Sequence, residues 1–440
     1  MATSKSMHLR VFSLNCWGIR YVSKHCVERF KMIGDLLSRE DYDIVLLQEV
    51  WSEKDVLYLK KTLSYTHPYS HHFKSGVIGS GLAVFSKYRI HDAFLYRFSV
   101  NGYPYKVQHG DWFGGKAVGM VQMKIGGLMA HIYVTHLHAE YCREKDAYLP
   151  HRVVQAWELQ HFIRHTSRGA DLVILGGDFN MHPQDLGCRL LRTSTGLRDC
   201  YTETDKFDGC ENGHTLIANN PFINEKELRP FEKGIRIDYI LFKGSKRVEM
   251  KCESLSTTQG SYPGRAFPLS DHEALSAHLL LVPSDPASQQ GEPESGKENT
   301  GKLAELVDLV TEARTEVKVG VHCAQQKRYS AARTGGMGLA LLLLELAIAA
   351  VPWLATAAAQ HPFPRASFYL LGALCFCLLL CAVVLWLFHS TELKALQSAD
   401  DHMRLAAASL QEELRGAKTP PPQHAHGENP TNQDACSKED

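Results

Sequence analysis

The sequence lacks the cysteine patterns that mark a zinc site or a redox motif. Its 12 cysteines are scattered without a Cys-x-x-Cys pair, and the closest two, Cys375 and Cys377, lie inside an apolar run. There is also no Asn-x-Ser/Thr sequon and no apolar signal core before the first predicted strand, Leu9–Phe12. Secreted proteins commonly carry these features. We therefore expect reduced thiols and a cytosolic catalytic part.

Charge of either sign is not in excess. Lys and Arg number 48, as do Asp and Glu, so the formal net charge is zero. Nucleic-acid-binding domains usually carry a strong positive bias. The balance gives no support for a nucleic-acid partner, and we predict none.

Composition divides the 440 residues into five segments. Residues 1–282 alternate short apolar strand patterns with helical ones, which predicts one α/β catalytic domain. The stretch 283–302 is rich in Pro, Ser, Gln, Gly and Glu and predicts a disordered linker. Apolar side chains recur at helical spacing in 303–334, which fits a helix packed on the domain or one lying at a membrane surface. Two apolar runs at 335–388 and a charged helix with a disordered tail at 389–440 complete the chain.

Each apolar run is long enough to cross a bilayer. The runs cover 335–359 and 366–388, and a spanning helix needs about 20 residues. The turn between them is short and contains two prolines, so both outer ends must lie on one side of the membrane. Positive residues flank the outer ends while the turn has only Arg365, which by the positive-inside rule leaves both termini cytosolic. We predict an integral two-pass protein with a transmembrane helical hairpin, and expect the endoplasmic reticulum.

One acidic residue, Glu345, lies inside the first apolar run. An ionised carboxylate is costly in the membrane interior. Three placements satisfy this constraint: Glu345 faces the partner helix, is neutral, or lies near a membrane surface.

Several short apolar strands end in a side chain capable of chemistry. In chain order these residues are Asn15, Glu49, His136, Asp178 with Asn180, Asp238, and Asp271 with His272. Strands that deliver polar residues at their ends predict a site assembled from distant segments. Carboxylate and amide oxygens with histidines suit Mg²⁺ and phosphate chemistry better than a thiolate or zinc site.

Hydrolysis of a phosphodiester requires a cation, a base and stabilisation of the leaving oxygen. Glu49 is the clearest metal carboxylate, and Asn15 is either a second oxygen ligand or a turn-forming residue. Asp178 and Asn180 are two apart, so on an extended chain both point to one face and can hold a water or a phosphate oxygen. An Asx-turn is the alternative for this pair.

His272 is the best candidate base because imidazole titrates near neutral pH. It needs an orienting carboxylate, from Asp238 or from the adjacent Asp271. Neighbours on a strand face opposite ways, which favours Asp238 as the partner of the ring and leaves Asp271 for the metal or the backbone. Each residue alone is more often structural, but the complete set indicates an enzyme rather than an inactive membrane adaptor.

From Leu9 to about Leu281 the chain resembles the DNase I-like endonuclease/exonuclease/phosphatase superfamily. The motifs are Asn15, Leu47-Gln48-Glu49, Thr135-His136, Gly177-Asp178-Phe179-Asn180, Arg236-Ile237-Asp238-Tyr239 and Ser270-Asp271-His272. Within that superfamily the chain is most similar to neutral sphingomyelinases, through Asn15-Cys16-Trp17-Gly18, Gln48-Glu49-Val50-Trp51, Thr135-His136-Leu137-His138-Ala139-Glu140, Asp178-Phe179-Asn180-Met181-His182 and Ser270-Asp271-His272-Glu273-Ala274. The resemblance implies two sheets packed face to face and flanked by helices. It also implies Mg²⁺-dependent cleavage of sphingomyelin, a membrane lipid, to ceramide and phosphocholine.

The resemblance further implies a role for each matching residue. Glu49 would bind Mg²⁺, and His272 would accept the proton of the attacking water. Asp178 and Asn180 would orient the phosphate and stabilise the transition state, while His136 would contact the phosphate or help the leaving group.

Asp111 and Lys116 resemble a spaced Asp/Lys pair that a related sphingomyelinase uses in switching a loop. A structural ion pair or two independent surface charges are the alternatives here, and Lys116 is a candidate substrate-binding residue.

Two other activities use the same chemistry. A lysophospholipase C acting on choline lysolipids is not separable from a sphingomyelinase by sequence. A nuclease of the same fold is disfavoured by the balanced charge and the membrane hairpin.

Overall fold

The computed structural model describes residues 6–224, 228, 230–284, 296–354 and 365–418. The strands are β1 (Met7–Asn15), β2 (Ile44–Gln48), β3 (Tyr69–His72), β4 (Ala83–Ser86), β5 (Ile90–Arg97), β6 (Ala117–Ile125), β7 (Leu128–His136), β8 (Leu172–Asp178), β9 (Arg198–Asp199), β10 (Phe207–Asp208), β11 (Leu216–Ile217), β12 (Gly234–Ile235), β13 (Asp238–Gly244), β14 (Val248–Thr257) and β15 (Leu275–Pro283). The α-helices are α1 (Cys26–Arg39), α2 (Glu53–Thr62), α3 (Asp111–Gly114), α4 (Leu149–Thr166), α5 (Leu186–Thr195), α6 (Cys200–Glu203), α7 (Gly296–Leu354) and α8 (Arg365–Lys418).

Two large mixed sheets pack face to face, which confirms the predicted two-sheet sandwich. One sheet has the strand order β10-β14-β15-β1-β2-β4-β3, and the other has the order β5-β6-β7-β8-β13-β9. β1 and β2 are parallel neighbours in the first sheet, as are β7 and β8 in the second. Between the sheets lies a core of buried aliphatic side chains together with Phe73 and Phe242. Removing this apolar surface from water is the main drive for the sheets to pack.

Helices cover the outer face of each sheet. On α1, Phe30, Ile33 and Leu37 recur every three or four residues and pack with α2 against the first sheet. On the second sheet, α4 and α5 contribute Leu159 and Leu191 to a separate apolar layer. The sheets are therefore buried on both faces, and the functional residues must emerge at their edges or ends.

The two C-terminal helices α7 and α8 run antiparallel. Arg314 Nε on α7 donates to Asp400 Oδ1 on α8 over 2.7 Å, and farther along the pair Glu345 faces Cys375. Each helix contains a window long and apolar enough to cross a membrane, and only 17% and 11% of those windows are buried. Such exposure argues against a core hairpin of a soluble domain. Glu345 faces the partner helix, while the predicted turn falls mostly on residues 355–364, outside the described part.

The polar halves of α7 and α8 pack on the catalytic domain. Leu309 and Val317 of α7 and Leu396 of α8 share one apolar cluster with Val154 and Trp157 of α4. Of the two placements open for 303–334, the structure has the helix packed on the domain. α7 begins at Gly296, so the end of the predicted linker is helical, whereas 285–295 and the predicted tail 419–440 lie outside the described residues.

A buried polar group joins α8 to α4. His151 Nδ1 accepts from the Gly102 backbone N–H, so its Nε2 carries a proton and donates to Glu392 Oε1 at 3.1 Å. His389 Nδ1 lies 2.7 Å from the other carboxylate oxygen. Burial alone raises the pKa of Glu392, but hydrogen bonds from the two histidines outweigh it and lower the pKa to about 2. The carboxylate is thus held ionised where α8 meets the domain.

Candidate active site

Four parallel strand ends bring the predicted site residues together. Asn15 closes β1, Glu49 follows β2, and His136 and Asp178 close the neighbouring strands β7 and β8. β13 runs antiparallel to β8, so its first residue, Asp238, lies directly opposite Asp178. The stacked sheets thus present all five side chains at one end of the sandwich.

Two glycines of the motifs are required by close backbone approaches. Gly177 has φ 145°, and a Cβ there would lie 2.0 Å from the Thr135 carbonyl oxygen. A Cβ on Gly18 would lie 2.1 Å from the carbonyl oxygen of Glu49. A larger residue would displace β7 from β8 or move the Glu49 loop, so these glycines set the spacing of the site.

Asn15 draws two carboxylates together. Its Nδ2 donates to Glu49 Oε1 at 3.2 Å and to Asp178 Oδ2 at 3.0 Å. Its Oδ1 accepts the backbone N–H of Trp17, which fixes the orientation of the amide. Glu49 has a left-handed backbone (φ 56°), a conformation uncommon for a non-glycine residue and frequent at functional sites.

His272 and Asp238 form a buried dyad. Nδ1 of His272 lies 2.8 Å from Asp238 Oδ2, and its Nε2 lies 3.8 Å from Asp178 Oδ2. Burial favours the neutral ring, but the charges of Asp238 and Asp178 outweigh it and raise the pKa of His272 well above its usual value. The predicted partner is therefore in place, although residues 271 and 272 lie in a bend before β15 rather than on a strand.

Asp271 lies in the cleft next to the dyad and accepts a hydrogen bond from Ser270 Oγ at 3.0 Å. Burial raises the pKa of Asp271 to about 7, and the charge of Glu49 acts in the same direction. Asp271 and the half-buried Glu49 repel each other, and a bound cation relieves such a repulsion.

Asn180 occupies a turn rather than an extended segment. β8 ends at Asp178, Asn180 has φ 49°, and its backbone N–H donates to Asp178 Oδ1 at 2.9 Å. This is the Asx-turn alternative, so the expectation of two side chains on one strand face was wrong. Asn180 Nδ2 donates to the Leu137 carbonyl at 3.0 Å, and both Asp178 and Asn180 still line the cleft.

Lys116 and Asp111 are a buried ion pair behind His136. Lys116 Nζ lies 3.0 Å from Asp111 Oδ1 and 2.7 Å from His136 Nε2. The same His136 nitrogen lies 3.2 Å from Asp178 Oδ2. The pair is thus structural, not two independent surface charges, and it places a cation beside the imidazole and the acid.

The strand ends open into a cleft of about 610 Å³. Its wall combines the polar residues Glu49, His136, Asp271 and His272 with aromatic ones such as Trp17. A concave site with a few convergent polar groups is the usual form of a small-ligand site.

A buried group within the site can hold a metal ion. Candidate ligand atoms of Asp178, Asp238 and His272 all lie within 4.8 Å of one another. This group contains none of the predicted metal residues Glu49, Asn15 and Asp271. In this group Asp238 and His272 are hydrogen-bonded to each other and are therefore less free to bind a metal ion. The predicted set does not include that pair.

Arg29 is a supporting residue that the sequence reasoning missed. It is fully buried on α1, and its guanidinium donates to the carbonyls of Cys16 at 2.6 Å, Trp17 at 2.7 Å and Leu269 at 3.1 Å. It thereby ties the loop after β1 to the loop carrying His272. The signal was available, since Arg29 interrupts an otherwise apolar helix face.

Comparison with known proteins identifies the family that the sequence motifs indicate. The model of the endonuclease/exonuclease/phosphatase family matches residues 12–272. The chain is 49% identical over 350 residues to sphingomyelin phosphodiesterase 2 of Homo sapiens, covering 80% of this chain and 82% of that protein. It is 46% identical over 408 residues to the Mus musculus protein of the same name, covering 92% and 93%.

A more distant relative and a solved structure extend the comparison. The inositol phosphosphingolipids phospholipase C of Schizosaccharomyces pombe is 41% identical over 198 residues, covering 45% of this chain and 46% of that protein. The crystal structure of sphingomyelinase C from Streptomyces griseocarneus shares the fold, with TM-score 0.50 and 20% identity over 62% of this chain and 99% of that one. The chain therefore belongs to the endonuclease/exonuclease/phosphatase family and, within it, to the family of sphingomyelin phosphodiesterase 2.

Proposed function

We propose that this protein is a membrane-anchored, Mg²⁺-dependent neutral sphingomyelinase that hydrolyses sphingomyelin to ceramide and phosphocholine. The observation that carries the proposal is the His272–Asp238 dyad, 2.8 Å between Nδ1 and Oδ2, at the wall of an acid-lined cleft. The identity to proteins named sphingomyelin phosphodiesterase 2 supports the substrate.

His272 is the proposed general base. With Nδ1 held by Asp238, its Nε2 is directed towards Asp178 and takes a proton from the water that attacks phosphorus. The new phosphorus–oxygen bond forms as the bond to the ceramide oxygen breaks, and the released alkoxide takes up a proton. Asp238 stabilises the imidazolium that forms, as the carboxylate partner of a catalytic histidine does in other hydrolases.

The oxygen donors of the cleft fit Mg²⁺. The carboxylates of Glu49 and Asp178 both accept from the Asn15 amide, and the charge of Glu49 helps to raise the pKa of Asp271. Mg²⁺ prefers such hard ligands and usually takes one or two carboxylates from a protein. Glu49 is the proposed principal ligand and Asp271 a further one, since Asp238 is occupied by His272. Asn15 turns its Nδ2 towards the carboxylates and its Oδ1 towards the Trp17 N–H, so it would act as a ligand only with its amide flipped. When bound, the ion would neutralise charge on the phosphate oxygens.

The remaining polar residues are proposed to position the phosphate. Asp178 and Asn180 form the turn at the end of β8 and face the cleft. His136, held between Lys116 and Asp178, contacts the phosphate or assists the leaving oxygen. The buried Lys116 ammonium adds a positive charge next to that position, where phosphate oxygens are stabilised.

We propose that the helical hairpin lies in the endoplasmic reticulum membrane and that the catalytic domain and both termini lie in the cytosol. Because the polar halves of α7 and α8 both pack on the catalytic domain, the two helices must enter the membrane from the same side. Basic residues Lys327, Arg328 and Arg333 precede the first span on that side. Substrate then reaches the cleft by diffusion within the bilayer.

The test is a substrate panel on the full-length protein in detergent. Phosphocholine release is measured from sphingomyelin and from lysophosphatidylcholine, and nicking is measured on duplex DNA, each with Mg²⁺ or with EDTA. We expect metal-dependent release that is faster from sphingomyelin. Faster release from lysophosphatidylcholine would instead identify a lysophospholipase C, and DNA nicking without phosphocholine release would identify a nuclease.

A further inference from the structure

Exposed apolar side chains concentrate around the mouth of the cleft. In the described part of the catalytic domain, ten large hydrophobic residues are at least 45% exposed, and six of them lie in three loops beside the cleft. These residues, which we call the apolar rim, are Tyr21, Val22, Val77, Ile78, Tyr105 and Val107. Single exposed hydrophobic residues are normal on protein surfaces, whereas a group of them marks an interaction surface.

Each loop of the apolar rim connects directly to the cleft. Ile78 itself lines the cleft, as does Ile19, which precedes Tyr21 in the first loop. The third loop leads from Val107 to His109, which also lines the cleft. The rim thus borders the opening through which a substrate must pass.

One loop of the apolar rim also contacts the apolar helices α7 and α8. The ring of Tyr105 lies 6.5 Å from that of Phe388, the last residue of the second apolar run, and Tyr103 lies 6.2 Å from the same ring. Tyr103 OH in turn accepts a hydrogen bond from Lys327 of α7 at 2.7 Å. The third rim loop therefore begins where α8 leaves its apolar stretch.

The pairing of α7 with α8 identifies the level of the membrane surface. A Cβ on Gly335 would lie 3.4 Å from Cβ of Ala382. Since the helices are antiparallel, Phe388 lies at the level of Tyr329, six residues before Gly335. Arg328 flanks Tyr329, and basic and aromatic residues of this kind collect at membrane surfaces.

We propose that the apolar rim lies in the surface layer of the same bilayer that α7 and α8 cross, with the cleft opening into that layer. This inference deepens the proposed function, on which it rests for the identity of the lipid. Lipid passes from the bilayer over the rim into the cleft without being transferred through water. The contact of the third rim loop with the end of the apolar stretch of α8 favours a bilayer rather than a soluble protein as the partner.

A matched pair of tyrosines gives a test that does not depend on activity. Tyr21 follows β1 at the site end of the sandwich, while Tyr65 precedes β3, which starts at the opposite end, and both are almost fully exposed. Full-length Tyr21→Trp and Tyr65→Trp variants are placed in phosphatidylcholine vesicles with or without brominated acyl chains. Added quenching relative to the wild type is expected for Tyr21→Trp only.

Equal quenching of both variants, or quenching of neither, would overturn the proposal. Quenching of neither would leave a protein partner as the occupant of the apolar rim.

A kinetic measurement complements the quenching experiment. Val107→Glu should lower hydrolysis of sphingomyelin in vesicles at least tenfold and change hydrolysis of a soluble short-chain sphingomyelin less than twofold, while Tyr65→Glu changes neither. Equal losses on both substrates contradict the inference. Quenching at Tyr21 without any phosphocholine release would refute the proposed function alone.

Discussion

Replacing Asp238 with asparagine should slow hydrolysis by roughly 100- to 10,000-fold without preventing substrate binding. Asparagine keeps the shape of the side chain and one acceptor oxygen but removes the charge. The carboxylate lies 2.8 Å from His272 Nδ1, and both side chains are buried. At an effective dielectric constant of about 20, unit charges at that distance attract by about 6 kcal/mol. Because the amide keeps part of this as a hydrogen bond, we expect a loss of about 3–5 kcal/mol of transition-state stabilisation.

The assay is phosphocholine release by the full-length protein in detergent at saturating sphingomyelin, followed against pH. KM should change little, because Asp238 lies behind the imidazole and is not part of the cleft wall. Asp238 helps to raise the pKa of His272, so the variant should lose a proton from the ring more easily. The acid limb of its kcat profile should therefore move to lower pH.

Two controls make the result decisive. Asp208 is exposed on β10, and Asp208→Asn should retain the wild-type rate. The double variant Asp238→Asn/His272→Ala should be no slower than His272→Ala alone, because residues that act as a unit are not additive. An Asp238→Asn enzyme that keeps more than a third of kcat would refute the role assigned to the dyad.

Three further predictions concern the metal, the backbone and the docked helices. Glu49→Gln should raise the Mg²⁺ concentration for half-maximal activity at least tenfold with an unchanged melting temperature; an unchanged Mg²⁺ dependence would exclude Glu49 as a ligand. Gly177→Ala should lower the free energy of unfolding by about 2–4 kcal/mol in denaturant titration, since its Cβ meets a carbonyl, whereas Gly169→Ala, in open space, should not. The pKa of Glu392 is depressed from 4.5 to about 2, so its stabilisation is present above pH 4.5 and is lost as the pH falls towards 2. The melting temperature of Glu392→Gln should accordingly be lower than that of the wild type at pH 6 and converge with it in acid, and exposed Glu412→Gln should follow the wild type throughout; a constant difference for Glu392→Gln would contradict the assignment.

The two-sheet fold and most of the site were predictable because several apolar strands end at a polar residue capable of catalysis or ligand binding. In a two-sheet fold the parallel strands end on one side, so Asn15, Glu49, His136 and Asp178 had to meet. Asp238 was identified as the partner of His272 by assuming a strand at 271–272. The pairing is correct and that local structure is not, because Ser270 donates to the Asn15 carbonyl and holds the segment in a bend.

Some contacts of residues named in the sequence analysis could not be predicted from the pattern of the chain. Lys116 was a candidate substrate-binding residue and part of an Asp/Lys pair, but only the fold brings its ammonium to 2.7 Å from His136. Asn180 was assigned to an extended face because the alternating pattern does not reveal a left-handed backbone. The docking of α7 on α4 was one of two open readings, since an apolar stripe fits a protein face as well as a membrane surface.

The most direct measurement of the central claim is hydrolysis of sphingomyelin by the full-length protein in ¹⁸O-enriched water with Mg²⁺, beside the His272→Ala variant. If a water activated by His272 attacks phosphorus, one ¹⁸O enters phosphocholine and none enters ceramide, and the variant releases neither product at a measurable rate. Label in ceramide, or equal release by His272→Ala, would contradict the account.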